Sequence, residues 1–244
     1  MRHTRSLVTT SWDDGHPLDL RLAELLHKYE LPATFYVPLA NERPVLTKAQ
    51  IRELSDRFEI GAHTLTHCDL TSVSDDQAER EIRESKHALE QIIGRRCNAF
   101  CFPKGRFNRI HLTQACDSGF CVVRTVELFS ISRPRIWHGL SVLPTSLQTI
   151  PLRPMPIVRN SAKRLRLGNL VRFLRYKTDD WVATAESLID YVADKGGVFH
   201  LWGHSWEIEE MGEWRNVERV FAYLYSHLYS HRSRTVGVMN CDVA

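Results

Sequence analysis

The sequence predicts an α/β fold in which parallel strands alternate with crossover helices. Short runs of apolar and β-branched residues alternate with segments of helical periodicity along most of the chain, as expected for repeated β–α units. Of the 244 residues, 43% are hydrophobic and 25% are charged, which is ordinary for a chain that folds around one core. The length favours one large domain, which we expect to span residues 1–244. Two architectures stay open, an α/β barrel and an open, doubly wound sheet.

The individual elements follow from residue type and spacing. Apolar, β-branched and aromatic runs predict strands over residues 7–12, 33–39, 58–62, 98–102, 120–126 and 197–202. Apolar residues at helical spacing predict helices over residues 18–29, 47–54, 75–93, 109–117, 184–193 and 216–230. Thr47 is placed to cap the second helix and Gly94 to end the third. The proline-rich region 129–160 predicts a long loop or an excursion around one further strand near residues 141–147.

The charge distribution bears on the partners. The chain has 32 basic and 29 acidic residues, so a nucleic-acid partner is not expected, because such proteins concentrate Lys and Arg on one face. The densest basic stretch, residues 159–177, mixes Arg and Lys with apolar residues. This pattern fits either peripheral contact with a membrane or acidic surface, or a solvated helix face on a globular protein. The sequence has no apolar run near the roughly 20 residues that span a bilayer as a helix, so no transmembrane segment is expected.

Export signals and cysteine spacing suggest a compartment. The first residues lack the apolar core of about 7–15 residues that a secretion signal requires. The six cysteines do not show the paired Cys-x2-Cys spacing of a structural zinc site, and a chain with a sizeable core needs no disulfides. We therefore expect reduced thiols and a cytoplasmic location.

Two adjacent carboxylates follow the first predicted strand. Reactive side chains in parallel α/β folds gather at the carboxyl ends of the strands, where loops vary without disturbing the core. Asp13 and Asp14 stand at such an end, and because side chains alternate along a strand, one could bind a metal while the other faces substrate. The alternative is a helix cap with a solvated neighbour.

Histidines follow two other predicted strands. His63 and His67 are four residues apart, so their imidazoles reach one metal ion only if the chain turns there, since an extended strand separates them by roughly 13 Å. Capping or surface histidines are the alternative. His204 ends the last predicted strand and is a candidate general acid, whereas His200 lies deeper and is interpreted as a hydrogen-bonded core residue. Trp202 and Trp206 form an apolar wall for a sugar ring or simply pack.

These residues together resemble the polysaccharide deacetylases, carbohydrate esterase family four. Trp12-Asp13-Asp14-Gly15 is similar to the first motif of that family, and His63-Thr64-Leu65-Thr66-His67 matches its His-[Ser/Thr]-x-x-His motif. Phe102-Pro103-Lys104-Gly105 and the late His204 follow in the order of the family, so that the resemblance covers residues 7–207. It implies a distorted (β/α)-barrel, a TIM-like arrangement of seven strands, in a single domain.

The resemblance also implies roles for individual residues. It makes Asp14, His63 and His67 the ligands of a divalent metal, Asp13 the general base and His204 the general acid. Zinc is the expected ion, and cobalt, nickel or manganese also suit one carboxylate and two imidazoles. The metal and a backbone N–H near Lys104 would stabilise the oxyanion.

The chain departs from the family pattern at several positions. Cys101 stands where the family carries an arginine that orients the base, and Arg124 at the next strand end is our candidate replacement. Lys104 replaces an aromatic residue, and it either favours an anionic sugar or is a solvated loop lysine. Asp180 is a candidate for tuning His204, with helix capping as the simpler explanation. Glu207 either bonds His204 or a substrate hydroxyl, or is solvated.

The resemblance implies a metal-dependent hydrolase that removes an acetyl or other acyl group from an N-acetylated amino sugar in a glycan, oligosaccharide or lipid-linked saccharide. Two alternatives remain: an amidohydrolase of the same fold acting on a non-sugar amide or cyclic imide, and a non-catalytic carbohydrate-binding module. The presence of both a candidate base and a candidate acid around a metal site argues against the binding module.

Overall fold

The computed structural model describes residues 6–150, 167–178 and 180–230. The strands are β1 (Ser6–Asp13), β2 (Ala33–Val37), β3 (Glu59–Ala62), β4 (Ala99–Cys101), β5 (Val122–Arg124), β6 (Arg135–Trp137), β7 (Leu140–Leu143), β8 (Leu147–Gln148) and β9 (Gly197–Gly203). The α-helices are α1 (Asp19–Lys28), α2 (Lys48–Ser55), α3 (Asp75–Ile93), α4 (Arg109–Asp117), α5 (Leu167–Tyr176), α6 (Trp181–Lys195), α7 (Ser205–Glu210) and α8 (Trp214–Ser230).

The strands form one curled sheet in the order β6-β7-β5-β4-β3-β2-β1-β9-β8. Neighbouring strands pair in parallel except β6 and β7, which are antiparallel. β7 pairs with β5 and β8 pairs with β9, yet only residues 144–146 separate β7 from β8. The chain itself therefore links the two sides of the sheet and curls it into the predicted distorted barrel.

The described part of the chain has nine strands, so the predicted count of seven is wrong. The short β6 and β8 lie in the proline-rich region that the sequence assigns to a loop around one strand. β6 is three residues long and β8 two, and both owe their strand conformation to pairing with β7 and β9. Segments this short show no sequence periodicity, because their strand conformation depends on pairing with a neighbouring strand.

Helix boundaries follow local chemistry closely. Thr47 caps α2 in a capping box with Gln50, and Gly94 ends α3 in the left-handed conformation at φ 70°, so both predictions are confirmed. The helix predicted to begin at residue 184 begins at Trp181, because the Asp180 side chain accepts a hydrogen bond from the Val182 N–H.

Across the described residues, no helix is both long and apolar enough to cross a membrane. Residues 159–166 of the basic stretch lie outside the described residues, and α5 carries the remainder with Val171 and Leu174 exposed at 61% and 73%.

The free thiols in the described part are Cys68, Cys97, Cys101 and Cys116. Cys121 is disulfide-bonded, so the expectation that all cysteines are reduced is wrong.

Candidate metal centre

The carboxylates of Asp13 and Asp14 lie at the carboxyl end of β1. Its residues are buried almost throughout, and Asp13 is the last of them. Asp14 then takes a left-handed φ of 76° and Gly15 one of 58°. Only glycine fits at position 15, because a Cβ there would lie 2.7 Å from Val37 Cγ1. This sharp turn brings both carboxylates to one cavity.

A bend after β3 brings His63 and His67 together. Thr64 and His67 have φ values of 62° and 56°, so the segment is a bend with two left-handed residues, and the chain turns here as metal binding requires. The buried carboxylate of Glu81 on α3 holds this bend, since it accepts hydrogen bonds from the Leu65 and Thr66 N–H groups at 2.9 Å each. The two imidazole ring centres are consequently 5.0 Å apart.

Three ligand atoms converge at this point. Asp14 Oδ1 lies 3.1 Å from His67 Nε2 and 3.6 Å from His63 Nε2, and all three atoms lie within 4.8 Å of one another. Asp14 Oδ1 is buried and has no hydrogen-bond partner in the part of the chain that the structure describes. His63 Nδ1 donates to the Cys101 carbonyl at 2.8 Å, which leaves the Nε2 lone pair free to coordinate. One carboxylate and two imidazoles with these second contacts fit a divalent cation such as zinc.

The charge state of Asp14 also suits a ligand. Burial of this carboxyl group acts to raise its pKa, but the neighbouring His63 and His67 outweigh burial and hold the pKa well below its ordinary value. The group therefore stays ionised at neutral pH, as metal ligation requires.

A second trio of donors, Asp13, His63 and Cys101, also lies within metal-binding distance. Burial raises the pKa of the Cys101 thiol well above its ordinary value, so the thiol stays protonated and is a poor ligand. Arg124 donates a hydrogen bond to Asp13 Oδ1 and places a positive charge beside this trio. The Asp14, His63 and His67 trio is therefore the better cation site.

Asp13 and Arg124 form an ion pair that is buried from solvent. The Arg124 side chain is 0% exposed and that of Asp13 is 4% exposed. Burial acts to lower the pKa of the guanidinium, but the charge and hydrogen bond of Asp13, together with Cys101 and Tyr36, outweigh burial and raise the pKa above the ordinary value. The ring centres of Trp202 and Tyr36 lie 4.7 Å and 5.3 Å from Arg124 Cζ. A cation held this firmly fixes the orientation of the Asp13 carboxylate.

His204 follows β9 and lines the same cavity as the histidine pair. Its Nδ1 is 3.0 Å from Glu207 Oε2, which also accepts a hydrogen bond from Gln148 Nε2 at 3.0 Å. Burial acts to lower the pKa of His204, but Glu207, Asp13 and Asp14 together raise it above the ordinary value. His200 is buried and its Nε2 lies 2.8 Å from Ser11 Oγ, in agreement with its interpretation as a core residue.

These side chains line a cavity of about 360 Å³. Trp202 and Trp206 form part of its wall, and Lys104 lies at its edge beside Gly105. Gly105 cannot be replaced without strain, since a Cβ there would lie 2.1 Å from Val126 Cγ2. The predicted residues that line the cavity are Asp13, Asp14, His63, His67, Lys104, Trp202, His204 and Trp206.

The sequence of this chain is similar to those of known proteins. The family model described as polysaccharide deacetylase matches residues 2–123, which is 122 of the 244 residues. The chain belongs to the polysaccharide deacetylase family. This family member is 24% identical over 147 residues to the YxkH protein of Bacillus subtilis, covering 55% of this chain and 53% of that protein. It therefore spans about half the length of YxkH.

One further relative and one solved structure cover more of this polysaccharide deacetylase family member. The chitooligosaccharide deacetylase of Sinorhizobium fredii is 29% identical over 198 residues, with 78% of this chain and 86% of that protein covered. The chitin deacetylase structure from Colletotrichum lindemuthianum aligns with a TM-score of 0.62 at 18% identity, covering 98% of this chain and 88% of that chain. At an identity this low, the structural similarity shows a shared fold and no more.

The substitution at Cys101 in this polysaccharide deacetylase family member has a structural counterpart. Cys101 on β4 and Arg124 on β5 are register partners in the sheet. The Arg124 guanidinium therefore enters from the neighbouring strand at the position level with Cys101, and it contacts the Asp13 carboxylate. Arg124 thus contacts the candidate base from the strand next to the one that carries Cys101.

Asp180 lies away from the residues that line the cavity. Its carboxylate caps α6 through the Val182 N–H at 2.8 Å, as the simpler interpretation proposes. Glu207 occupies the hydrogen-bonding position beside His204 Nδ1 that a tuning carboxylate requires. Sequence reasoning does not single out Gln148 or Glu81, because each acts through contacts between segments distant in the chain.

Proposed function

We propose that this chain is a metal-dependent deacetylase that hydrolyses the acetyl amide of an N-acetylated amino sugar. The observation that carries the proposal is the convergence of Asp14 Oδ1, His63 Nε2 and His67 Nε2 within 4.8 Å. Membership of the polysaccharide deacetylase family supports the substrate class, as does the similarity to a chitooligosaccharide deacetylase.

Asp14, His63 and His67 would hold the cation. A divalent metal at such a site polarises a carbonyl group and lowers the pKa of water. Asp13 accepts the proton of the attacking water, and Arg124 holds the Asp13 carboxylate in the orientation that this step requires. Arg124 itself is enclosed and cannot reach substrate, so its role is to position the base.

His204 is the proposed general acid. Its raised pKa keeps a larger fraction of the ring protonated near neutral pH than an unperturbed histidine would have. Because Nδ1 is bonded to Glu207, Nε2 is the atom that faces the cavity, and it lies 4.0 Å from Asp14 Oδ2. Proton delivery from Nε2 to the departing amine nitrogen completes cleavage of the C–N bond.

The wall of the cavity suits a sugar. Trp202 and Trp206 both line it and give apolar ring faces against which a pyranose can pack. The cavity also contains polar groups from Gln148 and Lys104, which can bond hydroxyl groups. Lys104 adds the positive charge that would favour an anionic sugar.

A substrate screen tests this proposal. Zinc-loaded protein is incubated with N-acetylated amino sugars and oligosaccharides and, separately, with small cyclic amides, and released amine is measured. We expect amine only from the sugars, loss of turnover after chelation and recovery when zinc is added back. His67→Ala is the matched variant, since it removes one candidate ligand. Amine from the cyclic amides alone would defeat the sugar assignment.

Replacement of Glu207 by Gln is expected to move the alkaline limb of the kcat/KM profile to lower pH. The amide keeps the shape of the side chain but removes a charge that raises the pKa of His204. With a lower pKa, the ring loses its proton earlier as pH rises, so the general acid is lost at lower pH. The measurement is kcat/KM against pH for both proteins.

The control for Glu207→Gln is Glu209→Gln on the same helix. Glu209 pairs with Arg21 on the surface, and its side chain is half exposed at 51%. The Glu209 variant should keep the unaltered profile. Superimposable profiles for Glu207→Gln and the unaltered protein would contradict the proposed tuning of His204 by Glu207.

A further inference from the structure

The two oxygens of the Asp14 carboxylate face different partners. Oδ1 faces His63 and His67. Oδ2 accepts a hydrogen bond from Trp206 Nε1 at 2.9 Å. An indole N–H is a donor only and cannot itself bind a metal, so this contact occupies Oδ2 without adding a competing ligand. The arrangement directs Oδ1 towards the two histidines, where a cation would bind.

The Trp206 ring is itself held in place from outside the cavity. The guanidinium carbon of Arg43 lies 3.6 Å from the centre of the Trp206 ring. Arg43 also pairs with Glu210 Oε1 at 2.7 Å, and Glu210 belongs to the same short helix, α7, as Trp206. Arg43, which lies between β2 and α2, therefore contacts both the Trp206 indole, through a cation–π contact, and another residue of α7, through an ion pair.

The backbone of Asp14 makes such support necessary. Asp14 has a φ of 76°, a conformation that costs a non-glycine residue free energy and persists only when the surroundings hold it. A buried carboxylate whose second oxygen lacked a donor would also lose a hydrogen bond that burial demands. Trp206 meets the second of these needs, because its N–H donates to Oδ2, and the same contact fixes the rotation of the carboxylate.

We propose that Trp206, held by Arg43, is a positioning residue that makes Asp14 a single-oxygen ligand of the bound cation. This inference rests on the proposed metal site. Single-oxygen ligation by Asp14 together with His63 and His67 keeps coordination positions open for water and for the substrate carbonyl. If the indole donor is removed, the carboxylate is free to rotate or to bind through both oxygens, and the site loses its preorganisation.

Trp206→Phe tests the inference through metal binding. We expect zinc affinity, measured by competition with a chromophoric chelator, to fall about 10- to 100-fold, the usual effect of losing an outer contact to a ligand. We also expect the visible absorption spectrum of the cobalt-substituted variant to change, because cobalt absorption reports coordination geometry. Phenylalanine keeps an aromatic ring in the wall, so the variant removes chiefly the N–H donor.

Trp202→Phe is the matched control. Trp202 lines the same cavity, but its buried Nε1 has no hydrogen-bond partner among the described residues. Its zinc affinity and cobalt spectrum should therefore stay unchanged. Arg43→Gln leaves Trp206 in place and should weaken zinc binding by less than Trp206→Phe does.

The outcomes separate the two proposals. Unaltered zinc affinity and an unaltered cobalt spectrum in Trp206→Phe overturn the positioning role while leaving the metal site intact. Equal losses in Trp206→Phe and Trp202→Phe also overturn it, since the loss would then follow the ring and not the donor. Failure of the unaltered protein to bind zinc overturns the metal site and the inference together.

Discussion

Asp13→Asn is expected to lower kcat by about 10²- to 10⁴-fold, the usual contribution of a positioned acid or base, while the protein keeps its bound zinc. Asparagine has nearly the shape of aspartate and its carbonyl oxygen still accepts a hydrogen bond from Arg124, but it cannot accept the proton of water. The measurements are steady-state turnover of an N-acetylated sugar and zinc stoichiometry on the same preparation.

The zinc content of Asp13→Asn decides between the two donor trios. Zinc should stay if Asp14, His63 and His67 are the ligands, and it should be lost if Asp13 belongs to the ligand set. Asp190→Asn is the matched control, because Asp190 is a half-exposed carboxylate on α6 that bonds Tyr223 away from the cavity. Full turnover by Asp13→Asn would remove Asp13 as the base.

Arg124→Met is expected to cost about 3–5 kcal/mol of unfolding free energy, because it strands the buried Asp13 carboxylate without its counter-charge. Methionine approximates the apolar stem of arginine, so most of the loss reflects the charge and not a cavity. Turnover should fall as well, since Asp13 loses the group that orients it. Denaturant unfolding and kcat measure the two effects.

The register of the sheet suggests a double variant that should restore part of what Arg124→Met loses. Cys101 and Arg124 are opposite one another on β4 and β5, so the double variant Cys101→Arg/Arg124→Cys moves the guanidinium to the neighbouring strand. We expect it to regain part of the stability and turnover that Arg124→Met loses. Unchanged turnover in Arg124→Met would contradict the positioning role of this arginine.

Features set by local chemistry could be predicted from the sequence. The Thr47 cap and the Gly94 helix end depend on residues within one turn of the helix. The Asp13-Asp14-Gly15 turn depends on a buried strand followed closely by glycine. Because the carboxyl ends of parallel strands lie at one edge of the sheet, we could expect these carboxylates at the same edge as His63 and His204.

Features that depend on register or tertiary contact could not be predicted in the same way. The bend at residues 63–67 has left-handed residues that no spacing rule indicates, and Glu81 from a distant helix holds it. The Trp206 donor reaches Asp14 across 192 positions of sequence. Asp180 illustrates the opposite case, in which a helix-capping preference explains the residue better than its resemblance to a family motif.

A zinc-edge anomalous-scattering map from crystals of the zinc-loaded protein tests the central claim most directly. The account predicts one peak bonded to Asp14 Oδ1, His63 Nε2 and His67 Nε2, at about 2.0–2.2 Å from each. A peak centred on Asp13 and the Cys101 sulfur, or the absence of any peak at the Asp14 carboxylate, would contradict it.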